Sequence, residues 1–171
     1  MVEIDVVLGD ITKIPADAIV NSANTSLLAG GGVCGAIHRS AGPELERACR
    51  LLGSCPTGRA VATPAFDLPA RWVIHAVGPQ WRDGNRGEAD LLSECYRSIY
   101  AVASQLGARR ITVPSISTGI YRFPLSMAAN IAIATTRNAA IDLEAVTFVC
   151  FDAKTASAYV SALVETEQPS A

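Results

Sequence analysis

No block of like charge, no extended apolar run and no regular cysteine or histidine spacing occurs in this sequence. Its 14 Lys and Arg are scattered and outweighed by 16 Asp and Glu, for a formal net charge of −2. A broad electrostatic interface with duplex nucleic acid or an anionic membrane is therefore not expected. No apolar stretch approaches membrane-spanning length, and the opening MVEIDVVLGDITK lacks the basic region and long apolar run of a secretory signal. A cytoplasmic protein is expected. The five cysteines, Cys34, Cys49, Cys55, Cys95 and Cys150, are odd in number and contain no CxxC. They support neither a zinc site nor a disulfide framework and read as reduced, mostly buried thiols. His38 and His75 are too few and too separated to suggest a metal site, no carboxylate cluster accompanies them, and no cofactor is called for.

What is present is enough apolar material for one domain: 171 residues, 50% of them hydrophobic. A single domain over 1–167 is expected, with a disordered tail at 168–171. Runs rich in β-branched residues predict six strands, at 2–8, 17–21, 60–65, 72–77, 111–114 and 145–151. Helical patterns fall between them at 33–41, 43–52, 88–106, 124–140 and 155–166. Pro43 suits a first helical turn, Gly53 and Gly107 suit left-handed C-terminal positions, and Pro124 opens the helix beginning near Leu125. Strands alternating with helices predict a layered α/β sandwich around a largely parallel sheet. The polar segment WRDGNRG at 81–87 predicts a mobile surface loop whose arginines are solvated.

Two connections carry the chemistry. NSANTSLLAGGGV at 21–33 leaves a buried strand and runs into a helix near Val33. Its glycines let successive N–H groups converge on an anion, and the helix adds its positive N-terminal end. The second loop, SISTGIY at 115–121, leaves the strand ITVP and ends at the helix opened by Pro124. Ligands of open α/β sheets bind outside the carboxyl ends of the strands, so two such loops can grip both sides of a diphosphate. Neither matches GxGxxG or GxxxxGK[ST], which argues against a dinucleotide-binding dehydrogenase or a P-loop NTPase.

The strings GDITKIPADAIVNSANTSLLAGGGVCGAIHRSAGPEL, CPTGRAVATPAFDLPARWVIHAVGPQW and VPSISTGIYRFPL, in this order, resemble a macrodomain of the MacroD type. The resemblance implies a three-layer α/β/α sandwich with a six-stranded mixed sheet that binds ADP-ribose. It implies that Asp10 accepts a hydrogen bond from the adenine amino group with Ile11 beside it, and that Phe151 packs on the adenine face. On the residues alone, Asp10 could equally cap a turn and Phe151 could be core. Asn24 corresponds to the residue that hydrogen-bonds the distal ribose. Gly31, Gly32, Val33, Ser117, Thr118, Gly119, Ile120 and Tyr121 correspond to the diphosphate loops. His38, in GAIH, is expected to be buried, hydrogen-bonded and supporting, and Arg122, where many relatives have glycine, to face solvent.

The match breaks at one place. Hydrolytic relatives read GGGVDG, and the Asp after the valine orients or activates water near the distal ribose; this chain has Cys34 there. Cleavage of an ADP-ribosyl bond passes through an oxocarbenium-like state that needs a placed water more than a strong base. Asn24 and Cys34 are thus the expected catalytic residues, the thiol as weak base, nucleophile or mere space-filler. The expected activity is removal of mono-ADP-ribose from acidic side chains or deacetylation of O-acetyl-ADP-ribose, with water placed by the substrate. The alternative is a non-catalytic reader. ADP-ribose, ADP-ribosylated protein and O-acetyl-ADP-ribose are the expected partners, without nucleic acid or membrane, and a monomer is expected.

Overall fold

The computed structural model describes residues 1–167; the tail expected to be disordered at 168–171 lies outside the described residues. The chain runs β1 (Glu3–Leu8), a 3-10 turn (Ile11–Lys13), β2 (Ala18–Ala23), α1 (Gly32–Ala41), α2 (Pro43–Leu52), β3 (Ala60–Pro64) and β4 (Trp72–Val77). It continues through α3 (Glu88–Leu106), β5 (Arg110–Val113), α4 (Leu125–Ala139), β6 (Ala145–Cys150) and α5 (Ala153–Glu167). Every expected strand and helix is present. The larger shifts are at the end of β2, which reaches Ala23 rather than 21, and at the start of α5, at Ala153 rather than 155. The Asp10 side chain caps the 3-10 turn after β1 by accepting from the Thr12 N–H at 2.9 Å, the turn-capping role open to it from the sequence. Pro43 stands in the first turn of α2, and Gly53 and Gly107 take φ of 84° and 70° where α2 and α3 end.

The strands form one mixed sheet in the order β1-β6-β5-β2-β4-β3, parallel except for β3, which runs antiparallel to β4. Alternation along the strands sends side chains to two separate cores. Ala18 and Val20 of β2, with Ile74 and Ala76 of β4, pack with α3, α4 and α5. Ile19 and Ala23, with Val73 and Val77, pack with Ile37 of α1 and Leu45 and Cys49 of α2. Helices therefore cover both faces, the three-layer sandwich that near-continuous apolar strands such as AIVNSA and WVIHAV require. No helix among the described residues is long and apolar enough to cross a membrane.

Two expectations need correction. The segment 81–87 is not a free loop, because the carboxylate of Glu88, only 2% exposed, gathers its backbone. Glu88 accepts from the N–H groups of Arg82 (3.0 Å), Asp83 (3.2 Å), Gly84 (2.9 Å) and Arg86 (2.7 Å). Those bonds, that of Arg82 foremost, hold its carboxyl down at about 2. Trp81 packs edge-on against Phe123, with ring centroids 4.9 Å apart, and its N–H donates to the Tyr121 carbonyl at 2.8 Å. The side chains of Arg82 and Arg86 are in contact with Gln80 and Asp83.

The histidines are the second correction. Far apart in sequence, they are neighbours in space, with ring centroids 6.5 Å apart. His75, fully buried in β4, meets the Asn21 amide through Nδ1 at 3.1 Å and the Thr63 hydroxyl through Nε2 at 2.9 Å. His38 is buried as expected, yet neither ring nitrogen has a hydrogen-bond partner among the described residues. Among the described residues no group of three or more His, Cys, Asp or Glu could hold a metal ion.

Burial, and secondarily the nearby His38, push the His75 imidazole down to about 4. The ring is neutral when folded and takes a proton near pH 6.5 when unfolded. Its stabilising effect is therefore complete above that pH and is lost as pH falls towards 4, at up to about 1.4 kcal/mol per pH unit. NMR should find the His75 ring unprotonated from pH 7 to 5 while urea unfolding shows stability falling below pH 6.5; a ring that titrates near 6.5 contradicts this account.

Candidate ligand-binding cleft

Because β6, β5 and β2 are adjacent and parallel, the loops that leave their C-terminal ends meet at one edge of the sheet. They enclose a cleft of about 330 Å³. After β2 the wall is Asn24, Gly30, Gly31, Gly32, Val33 and Cys34; after β5 it is Ser115, Ser117, Thr118, Gly119, Ile120 and Tyr121; after β6 it is Phe151, Asp152 and Thr155. Thus eleven of the thirteen residues expected at the site are brought together, and Asp10 and Ile11 lie outside the cleft lining. Those two follow β1, which pairs with β6, so they leave the same sheet edge beside Phe151. Phe151 is 77% exposed and belongs to the rim rather than to the core.

The first wall is shaped by a turn and a helix start. Leu27, buried although its φ is +61°, anchors the loop in the α1/α2 core, and its N–H bonds the Asn24 carbonyl at 3.1 Å. The Asn24 side chain stays within this loop, donating to the Leu28 carbonyl at 3.1 Å and accepting from the Ser26 hydroxyl at 2.6 Å. Of the three glycines only Gly32 takes a positive φ, +57°, as the chain enters α1. Among the described residues the N–H groups of Gly31, Gly32, Val33 and Cys34 donate to no protein acceptor, as the first turn of a helix dictates.

The second wall is held by close approach. Ser117 has φ +67° and is buried, and its hydroxyl has no partner among the described residues. A Cβ on Gly78 would lie 2.2 Å from that oxygen and 2.5 Å from Cγ2 of Ile116, so only glycine lets the chain leaving β4 pass behind the loop. The turn closes through Phe123 N–H to the Ser117 carbonyl and Arg122 N–H to the Gly119 carbonyl, both 2.9 Å. This leaves the N–H groups of Thr118, Gly119, Ile120 and Tyr121 with no protein acceptor among the described residues. The Ser115 hydroxyl links Thr118 (2.6 Å) to Tyr159 of α5 (3.1 Å).

The lining contains no Lys or Arg, and its charged member, Asp152, accepts from the Thr155 N–H at 2.7 Å, the first cause of its lowered pKa. An anion here meets backbone dipoles instead of a cation. Cys34, 7% exposed, lies between the Asn21 amide (3.8 Å) and the Leu28 carbonyl (3.7 Å), while the carboxylate of the lining, Asp152, belongs to the β6 wall. Gly78, Asp152 and Thr155 were not singled out in the sequence, and Ser115 only as part of its loop: Gly78 acts through space from the chain after β4, and the others look like ordinary strand-end and helix-cap residues.

The model of the Macro domain family matches residues 20–132. The chain belongs to the macro domain family. It is 54% identical over 156 residues to a macro domain-containing protein of Ralstonia nicotianae, covering 91% of each chain. It is 49% identical to the O-acetyl-ADP-ribose deacetylase of Enterobacter cloacae, covering 97% of this chain and 96% of that one. The solved structure of the Oceanobacillus iheyensis macrodomain with ADP superposes with a TM-score of 0.91 at 40% identity, over 95% of this chain and 90% of that one. The three-layer sandwich with its six-stranded mixed sheet is the macrodomain fold.

In this macro domain Gly78→Ala forces the Ser117 loop to move, at a cost of roughly 1–3 kcal/mol. Urea unfolding should show that loss, and the added substitution Ser117→Ala should recover part of it. Unchanged stability of Gly78→Ala would show that the close approach does not constrain the loop.

Proposed function

We propose that this macro domain binds ADP-ribose across the ends of β6, β5 and β2 and hydrolyses mono-ADP-ribose from acidic side chains, deacetylates O-acetyl-ADP-ribose, or both. One observation carries the reading: two ridges of unused backbone N–H groups, at Gly31–Cys34 and Thr118–Tyr121, line a cleft that contains no cationic side chain. That arrangement suits a diphosphate entering between the loops. The ADP held by the Oceanobacillus iheyensis macrodomain and the name of the Enterobacter cloacae relative support it.

The remaining parts of the ligand follow from the diphosphate. Phe151, exposed at the end of β6, stacks on the adenine. Asp10, beside it at the end of β1, takes the adenine amino group on Oδ2, since Oδ1 already accepts from the Thr12 N–H and hydroxyl. The hydrogen bonds from Thr12 lower the Asp10 pKa and keep it an ionised acceptor. Asn24 holds the distal ribose, where it exchanges bonds within its own loop for bonds to the sugar.

Hydrolysis at the anomeric carbon then needs a water on the face opposite the departing carboxylate. The substrate's diphosphate positions that water, while Asn24 and the glycine loop fix the ribose. Cys34 packs at the end of the cleft and supplies no carboxylate, so the reaction runs without the 10²–10⁴-fold that a general base typically contributes, an order-of-magnitude figure. That same residue favours a second reading, a reader that binds ADP-ribosylated protein and releases nothing.

Release of ADP-ribose from a glutamate-linked mono-ADP-ribosylated protein distinguishes the two. The wild type should release it slowly, Asn24→Ala should lose that activity, and Cys34→Asp should gain about 10²-fold or more. If only Cys34→Asp is active while the wild type binds ADP-ribose, the protein is a reader. If the wild type does not bind ADP-ribose, the reading of the cleft is wrong.

A further inference from the structure

A second cavity, of about 370 Å³, shares Gly30 with the cleft and lies in the corner between α1 and α2. Gly35, His38, Arg39 and Glu46 are among its walls. Three features set it apart from an ordinary surface hollow. Arg39 is exposed and takes part in no ion pair or side-chain hydrogen bond among the described residues, whereas the Glu46 carboxylate opposite is held by Arg50 at 3.3 Å. The guanidinium of Arg39 sits against the shared wall: a Cβ on Gly35 would lie 3.0 Å from its Nη1 and 2.4 Å from the Gly30 carbonyl oxygen. His38, 8% exposed, walls the cavity with both ring nitrogens unpartnered among the described residues. A buried imidazole whose nitrogens serve no internal bond is unusual, because buried polar groups are normally satisfied.

The position relative to the first cleft gives the occupant. Under the proposed function the distal ribose lies by Asn24, Gly30 and Cys34, and Gly30 lines both hollows, so the second cavity is the neighbour of a group attached to that ribose. The cation waiting there is Arg39, and a guanidinium favours carboxylates through its fork of donors. We propose that the second cavity receives the polypeptide that carries the ADP-ribose, with Arg39 binding an acidic side chain next to the modified residue. This rests on the reading of the first cleft as an ADP-ribose site. One unpaired arginine on a chain of net charge −2 suits a short acidic segment and not a phosphodiester backbone.

Calorimetric binding to the full chain tests this with three ligands: free ADP-ribose, and two peptides carrying ADP-ribose through a hydrolysis-resistant linkage, one flanked by Asp and Glu and one by Asn and Gln. The wild type should bind the acidic peptide about fivefold more tightly than the neutral one, the size an exposed charge pair allows. That preference should shrink as salt is raised, persist in Arg39→Lys, vanish in Arg39→Gln and reverse in Arg39→Glu, with the affinity for free ADP-ribose constant throughout. A wild type that binds ADP-ribose and both peptides equally overturns the inference alone, as does a preference that survives in Arg39→Gln. Loss of free ADP-ribose affinity in the Arg39 variants counts against a separate site. A wild type that binds none of the three overturns the reading of the first cleft, and this inference with it.

Discussion

Parallel pairing of β2, β5 and β6 is the constraint from which the rest follows. Strands that point the same way deliver their outgoing loops to one edge, and each loop must then turn into a helix that packs back on the sheet. The edge consequently collects helix N-termini and turns, the two backbone arrangements that leave N–H groups without internal acceptors. A cleft able to hold an anion is therefore a product of topology before any side chain is chosen. The side chains refine it: Leu27 and Ser117, both at positive φ, aim the two loops, and Gly78 gives the second one room.

Nearly all of the architecture could be read in the sequence, because its signals are local and strong. AIVNSA and WVIHAV are too apolar to lie anywhere but in the middle of a covered sheet, and Pro43, Gly53 and Gly107 mark helix ends by their own backbone preferences. Most of the expected cleft residues also come together, since they sit in two contiguous loops whose strands set their place. What escaped was non-local. Glu88 looks like a helix-start carboxylate in sequence, and only the fold reveals that the preceding loop is wrapped around it. His38 and His75, far apart along the chain, meet because α1 lies over β2 and β2 pairs with β4. Gly78 carries no local signature, its role being set by Ser117 approaching from the loop after β5.

The buried polar group beneath the cleft also has a structural logic. Asn21, His75 and Thr63 lie side by side on β2, β4 and β3, facing the layer of α1 and α2. The Asn21 amide reaches from this group to the thiol of Cys34, so the residue at the start of α1 is supported from below by the sheet. A side chain at position 34 is thus placed by the core rather than by the mobile surface of a loop, which makes it a sensitive point for exchanging one chemistry for another.

The division of labour between backbone and side chain has a consequence for how such a domain can diverge. The N–H groups of Gly31 to Cys34 and of Thr118 to Tyr121 are present whatever most of their side chains become, so anion recognition is robust to mutation. Under the proposed function, reactivity rests on a few side-chain atoms at one end of the cleft and can be lost or altered by a single codon change. Ligand recognition and turnover are in this sense separately heritable, and a lineage can pass through a form that only recognises its ligand without ever having to rebuild the fold.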